Sequence, residues 1–316
     1  MKKVKIGITI GDPSGIGPEI TLKALKKFSL PKDCQISVFG DTYLWKNKIL
    51  PKEIDFINVD SGLRNLPKGP SKEAGWASLL YLKRAIEYLK GKEINSLVTA
   101  PVSKEAISLN GINFIGHTEF LAEAFSVEKF AMMFVSDSLK VSLVTRHIPF
   151  GRVITELNPE MIYSTIILTA ECLQRYFGIT HPRIAVSGIN PHASENGMIG
   201  DEEIRIILPA IKKAQRKNKN ILGPFPADSI FIRAYNKEFD AVVSMYHDQG
   251  LIAFKLVAFN KGVNLTLGLP FIRTSVVHGT AFSLAGKNKA DCSSMLEAIK
   301  TAYHLTKNQL KNNSIK

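Results

Sequence analysis

Cysteine is scarce: Cys34, Cys172 and Cys292 are the whole complement of a 316-residue chain, an odd number without any C-x-x-C spacing. That excludes a disulfide framework and a thiolate metal site, and it fits a reducing compartment. No apolar run approaches the ~20 residues of a membrane span. The first residues alternate as a strand where a signal peptide would carry its apolar core, so a cytoplasmic protein without a membrane partner is expected. There is no internal repeat and no long Pro/Gly/Ser linker. Acidic residues are the minority, 28 against 41 basic ones, for a net charge of +13. The surplus gathers in lysine-rich stretches such as Lys212–Lys219 and Lys307–Lys316, which lack the interleaved aromatics of a base-stacking surface. Solvated helix faces account for these stretches; nucleic acid is not the expected partner, and small anionic ligands stay open.

What is present is an ordinary globular composition, 45% hydrophobic and 22% charged, in a chain long enough for about two domains. Val4, Ile6, Ile8 and Ile10 alternate as a strand that runs into a Gly/Pro turn. From Gly75, Leu79, Leu82, Ile86 and Leu89 recur at helical steps and lead to a short strand around Leu97 and Val98. Further strands read at Ala131–Val135, Val141–Thr145, Ile184–Ser187 and Ala241–Met245. Asn158 and Pro159 open a helix that stops at Gly178. Asp201 is expected to cap another, kinked or shortened by Pro209, and Asp291 the last. Strands alternating with helices predict an α/β protein with a largely parallel sheet, in two lobes with a cleft between them. The first lobe is placed at 1–120 with 285–316, the second at 121–284.

Three histidines share one setting. His147, His192 and His247 each follow the carboxyl end of a predicted strand, where open α/β sheets bind ligands, so their imidazoles could converge on a divalent ion. Local hydrogen bonding in a loop is the alternative for each, and nothing resembles H-E-x-x-H. Asp248 could orient a ligand or move a proton, or cap the turn before Gly250. GDPSGIGPE, Gly11–Glu19, is a glycine-rich turn opening a helix, but it is neither a G-x-G-x-x-G fingerprint nor a P-loop. Gly116, His117, Thr118 and Glu119 begin a second helix in a similar way. Lys255, Asn264 and Arg273 lie in an apolar stretch, where cations serve a phosphate or carboxylate ligand or an ion pair.

Together GDPSGIGPE, TAPVSK (Thr99–Lys104), GHTEF (Gly116–Phe120), NPHASE (Asn190–Glu195), YHDQG (Tyr246–Gly250) and GVNLTLGLPFIRTS (Gly262–Ser275) resemble the 4-hydroxythreonine-4-phosphate dehydrogenase family, over nearly the whole chain. The resemblance implies a two-lobed α/β/α fold similar to isopropylmalate dehydrogenase, with the active site in the inter-lobe cleft. It implies that His147, His192 and His247 bind one divalent ion (zinc, magnesium or cobalt) shared across a homodimer interface on the second lobe. His117, Thr118, Lys255, Asn264 and Arg273 would hold a small phosphorylated substrate, and Asp248 or Lys255 would take the proton. The segment with His278, Gly279, Thr280 and Gly286 looks like an adenosine-binding loop for NAD or NADP. The implied reaction oxidises 4-phosphooxy-L-threonine to a β-keto acid that decarboxylates to 3-amino-2-oxopropyl phosphate, on the way to pyridoxine 5′-phosphate. Oxidation of a phosphorylated sugar acid such as 4-phosphothreonate, and phosphotransacetylase-like acyl transfer, are the competing activities. Val277 and Ser283 stand where the family carries acidic residues, Ser194 where it has glycine, and Arg146 where a small polar residue is common.

Overall fold

The structure is a computed structural model and describes residues 3–45 and 53–312. Its strands, in chain order, are β1 (Val4–Thr9), β2 (Cys34–Gly40), β3 (Ile54–Asn58), β4 (Ser96–Thr99) and β5 (Ala131–Val135). They continue as β6 (Lys140–Leu143), β7 (Ile184–Ser187), β8 (Ile221–Phe225), β9 (Ala241–Ser244), β10 (Val263–Leu267) and β11 (Ile272–Ser275). The chain divides into two compact units, Met1–Glu128 with Leu269–Lys316, and Lys129–Gly268.

In the first unit the strand order is β3-β2-β1-β4-β11, every pair parallel. Parallel strands covered on both faces need apolar side chains on both, and Ile6, Ile8, Ile36, Val38, Leu97 and Val98 are fully buried. The helix Lys72–Lys90 starts ahead of Gly75 because the Ser71 hydroxyl accepts from Ala74 N at 3.1 Å. Asp291 accepts from Ser293 N at 2.6 Å and opens the last helix, Ser293–Asn312. That helix is tied to β11 by Thr274 Oγ1, which donates to Ala298 O. Pairing of β11 with β4 brings the chain back to the first unit by Leu269, well before 285, and the helix His117–Ala124 still belongs to that unit beyond residue 120.

The second unit runs β10-β5-β6-β9-β7-β8. The expected largely parallel arrangement holds here too for β6, β9, β7 and β8, with two antiparallel exceptions, β10–β5 and β5–β6. The cause is local: Ser136 N donates to Leu139 O, closing a tight turn too short for a crossover. Asn158 caps the helix Pro159–Arg175 through Met161 N (3.0 Å). Asp201 does not cap with its side chain, which pairs with Arg205. A π-helical turn, Glu203–Ile207, precedes the helix Leu208–Gln215, and Pro209 lies in the first turn of that helix, where its missing N–H costs nothing. All three cysteines are buried thiols. Among the described residues no helix is long and apolar enough to cross a membrane.

Candidate active site

Three segments distant in sequence meet in the first unit. TAPVSK leads from the end of β4 into a short helix, Lys104–Ser108, whose first turn is capped by the Ser103 hydroxyl. Gly75 permits this docking, because a Cβ there would lie 2.1 Å from Ala106 O. β11 presents Arg273, 2% exposed, whose Nη2 donates to Thr99 Oγ1 at 2.6 Å. Gly116 opens the helix His117–Ala124, and a Cβ on it would be 3.9 Å from Lys104 Nζ. Burial, reinforced by Arg273 and then Lys104, holds the half-buried His117 imidazole well below its ordinary range, so the ring is neutral. Its Nε2 is buried without a hydrogen-bond partner among the described residues. Burial lowers the Arg273 guanidinium to about 10, with Glu119 opposing, and it stays charged at neutral pH. A buried fork, an ammonium and a neutral ring make a positive site suited to a phosphate monoester.

The second unit holds the histidines. His247 is the first residue of the helix His247–Ala258, and its ring centroid lies 5.8 Å from that of His147. Asp248 Oδ1 is 2.6 Å from His247 Nδ1, which leaves Nε2 as the outward nitrogen. A cavity of about 190 Å³ adjoins the pair, walled by Phe150 and Tyr246. His192 lies in the segment Pro191–Gly197, where His192, Ala193, Ser194, Glu195 and Asn196 all have φ between +45° and +65°. Five consecutive non-glycine residues in the left-handed region are strained. The buried Glu203 carboxylate holds this segment's entrance, accepting from Ile189 N and Asn190 N at 2.7 Å each and from Asn190 Nδ2 at 2.8 Å. Gln249 joins the two histidine-bearing regions: its Oε1 accepts from Met245 N and its Nε2 donates to Gly188 O, both at 2.7 Å.

Among the described residues no group of three or more His, Cys, Asp or Glu side chains is placed to hold a metal. The chain therefore pairs His147 with His247 and leaves His192 outside the pair. Two adjacent imidazoles are donors of the right chemistry for a first-row divalent ion.

A larger cavity, about 630 Å³, lies in the first unit between the GDPSGIGPE turn, Trp45, the Leu66–Gly69 loop and the segment from Phe282 to Asn288. Its size falls in the roughly 300–1,000 Å³ of small-molecule and cofactor sites. Of the residues expected to bind a dinucleotide, Gly286 lines it, and Thr280 O accepts from Ile16 N at 2.9 Å, fastening the loop to the glycine turn. His278 and Gly279 precede that contact and do not line the cavity. A mostly apolar slot beside a glycine turn and a helix start fits a nicotinamide dinucleotide.

Of the five expected substrate contacts, His117, Thr118 and Arg273 come together in the first unit, whereas Lys255 and Asn264 belong to the second. Asn264, on β10, is 8% exposed and its Oδ1 has no partner among the described residues. Thr99 and Lys104 were not singled out as site residues, although TAPVSK contains both. Gln249 falls within YHDQG but was not singled out, and Glu203 leaves no sequence signal of its own.

The fold is a mixed α/β one that also occurs in a β-decarboxylating dehydrogenase from Thermococcus kodakarensis, at 11% identity over 96% of this chain and 83% of that one and a TM-score of 0.54. The family model described as pyridoxal phosphate biosynthetic protein PdxA matches residues 10–302. The 4-hydroxythreonine-4-phosphate dehydrogenase of Desulforapulum autotrophicum is 42% identical over 94% of both chains. The D-threonate 4-phosphate dehydrogenase of Cupriavidus necator is 41% identical over 95% of this chain and 96% of its own. The crystal structure of 4-hydroxythreonine-4-phosphate dehydrogenase from Klebsiella pneumoniae superposes with a TM-score of 0.85 at 35% identity, covering 96% of this chain and 99% of that one. The chain belongs to the PdxA family of dehydrogenases.

Proposed function

We propose that this protein oxidises 4-phosphooxy-L-threonine with NAD or NADP, yielding a β-keto acid that loses carbon dioxide to leave 3-amino-2-oxopropyl phosphate for pyridoxine 5′-phosphate synthesis. The observation that carries this reading is the buried Arg273–Thr99 pair beside the neutral His117 in a chain of this family. Arg273 supplies a planar fork for phosphate oxygens, Lys104 adds charge, and Thr118 sits at the same helix start. His117, uncharged, donates or accepts one hydrogen bond without competing for the anion. Lys255 and Asn264 are assigned to the same substrate. A divalent ion and the dinucleotide, when bound, supply Lewis acidity and a hydride acceptor. His147 and His247 would hold the ion, and imidazole donors favour zinc or cobalt over magnesium. Asp248 is committed to His247 and orients that ring, which leaves Lys255 to accept the hydroxyl proton.

A homodimer would supply a third donor, with His192 of one copy meeting His147 and His247 of the other. Its support is the exposed apolar set on the second unit, where Phe150, Met198, Ile252, Leu256 and Phe259 all face outward.

The test is NAD(P)H formation at 340 nm with a divalent ion, comparing 4-phosphooxy-L-threonine with D-threonate 4-phosphate. Faster turnover of the amino acid is expected. A strong preference for the hydroxy acid would move the protein to the second reading, which the near-equal identity to the Cupriavidus enzyme favours.

A further inference from the structure

We infer that the cavity of the first unit is built to prefer NADP over NAD, through Lys68 and Lys287 acting on the 2′-phosphate of the adenosine ribose. This rests on the reading of that cavity as the dinucleotide site. The two nucleotides differ only at this position: NAD presents a 2′-hydroxyl, best met by a carboxylate acceptor, and NADP presents a phosphate that needs cations.

The cavity is short of carboxylates and supplied with cations. Among the described residues Glu19 is the sole acid lining it, and that side chain is committed: Glu19 Oε1 lies 2.8 Å from Lys23 Nζ and accepts from Ala290 N at 2.8 Å. Lys23 also donates to Asn288 O and Ala290 O, so the pair serves to clamp the 288–290 loop. Lys68 and Lys287 both line the cavity, both are exposed, and neither ammonium is paired with a carboxylate among the described residues. Ser283, also on the wall, offers a hydroxyl donor where a ribose-binding acid would refuse a phosphate. The acid at the end of β2 is equally unavailable. Asp41 is 2% exposed and accepts from Ser61 and Tyr81, which fixes the start of the loop that carries Lys68.

The experiment is direct binding of NADPH and NADH to the full-length protein, without substrate or added metal, followed by nicotinamide fluorescence and calorimetry. NADPH should bind at least about tenfold more tightly, a preference that shrinks as salt is raised. Lys287→Ala and Lys68→Ala should each weaken NADPH severalfold while moving NADH less than about twofold, and Ser283→Asp should favour NADH. A lysine that instead reads the pyrophosphate, common to both nucleotides, would weaken both alike, and that result overturns the proposal. Equal affinities in the unaltered protein, or tighter NADH, overturn it as well and leave the cavity's role as a dinucleotide site intact. Binding of neither nucleotide refutes both.

Discussion

Replacing Glu203 with alanine separates strain from stability in the segment that carries His192. Five left-handed residues cost roughly 1–2 kcal/mol each, about 5–10 kcal/mol for the run. Three hydrogen bonds to one buried carboxylate contribute about 1.5–3 kcal/mol each, which is the same order. The two quantities oppose one another, so removing the carboxylate should release the strain along with the bonds. The terms nearly cancel, so the expected net loss on Glu203→Ala is small, below about 2 kcal/mol, read as a shift in the urea midpoint of unfolding. Amide exchange at Ile189 and Asn190 should accelerate by orders of magnitude, and turnover should fall by more than about tenfold as His192 leaves its place. Glu203→Gln, which keeps an acceptor oxygen but no charge, should fall between. A loss of 5 kcal/mol or more with turnover intact would refute the reasoning, because the carboxylate would then be stabilising an unstrained fold.

Arg273→Lys retains a charge but loses the fork and the bond to Thr99, so kcat/KM for the phosphorylated substrate should drop about a hundredfold with the circular dichroism spectrum unchanged. His117 has a folded-state pKa below its unfolded value of 6.5, so the unfolded chain binds the extra proton first and stability is lost as pH falls beneath 6.5. His117→Gln should flatten that slope in thermal melts between pH 7 and 5. Asp12, mainly through burial and against the amides of Ser14 and Ser103, is raised from 3.8 to about 6, so its contribution is present below pH 4 and lost as pH rises to about 6. Asp12→Asn should accordingly stabilise the protein at pH 7.5 by about 1–3 kcal/mol and not at pH 4. Leu256, 86% exposed, should tolerate glutamate as far as folding goes, and light scattering on Leu256→Glu should report a monomer if the apolar face joins two copies.

Much of the strand framework is legible because β1 alternates with period two and β5, β7 and β9 are short apolar runs bounded by turn residues, as burial on both faces demands. The antiparallel β5–β6 pairing was not legible, since its direction depends on a four-residue turn that period alone does not encode, and β10 reaches β5 only through long-range topology. His147, His192 and His247 were legible alike as residues past strand ends, whereas the pairing of His147 with His247 depends on β6 lying beside β9, which the sequence does not show. His192 was legible only as a residue past the end of β7, because its backbone is left-handed in a run without glycine, which no sequence pattern announces. Arg273 was readable as a charge in an apolar strand, whereas its partner Thr99 appears only when β4 and β11 lie side by side. Lys68 sits in an irregular loop that gives no periodic signal, and only the folded cavity joins it to Lys287.

The three buried thiols have a practical consequence. Burial pushes Cys34 up to about 12 and raises Cys172 as well, so neither forms the anion that alkylating dyes attack. A cysteine introduced at an exposed position on the cavity rim such as Leu66 would then be the preferred target for a maleimide fluorophore, turning the wild-type background into a ready-made scaffold for reporting nucleotide occupancy at a single labelled point.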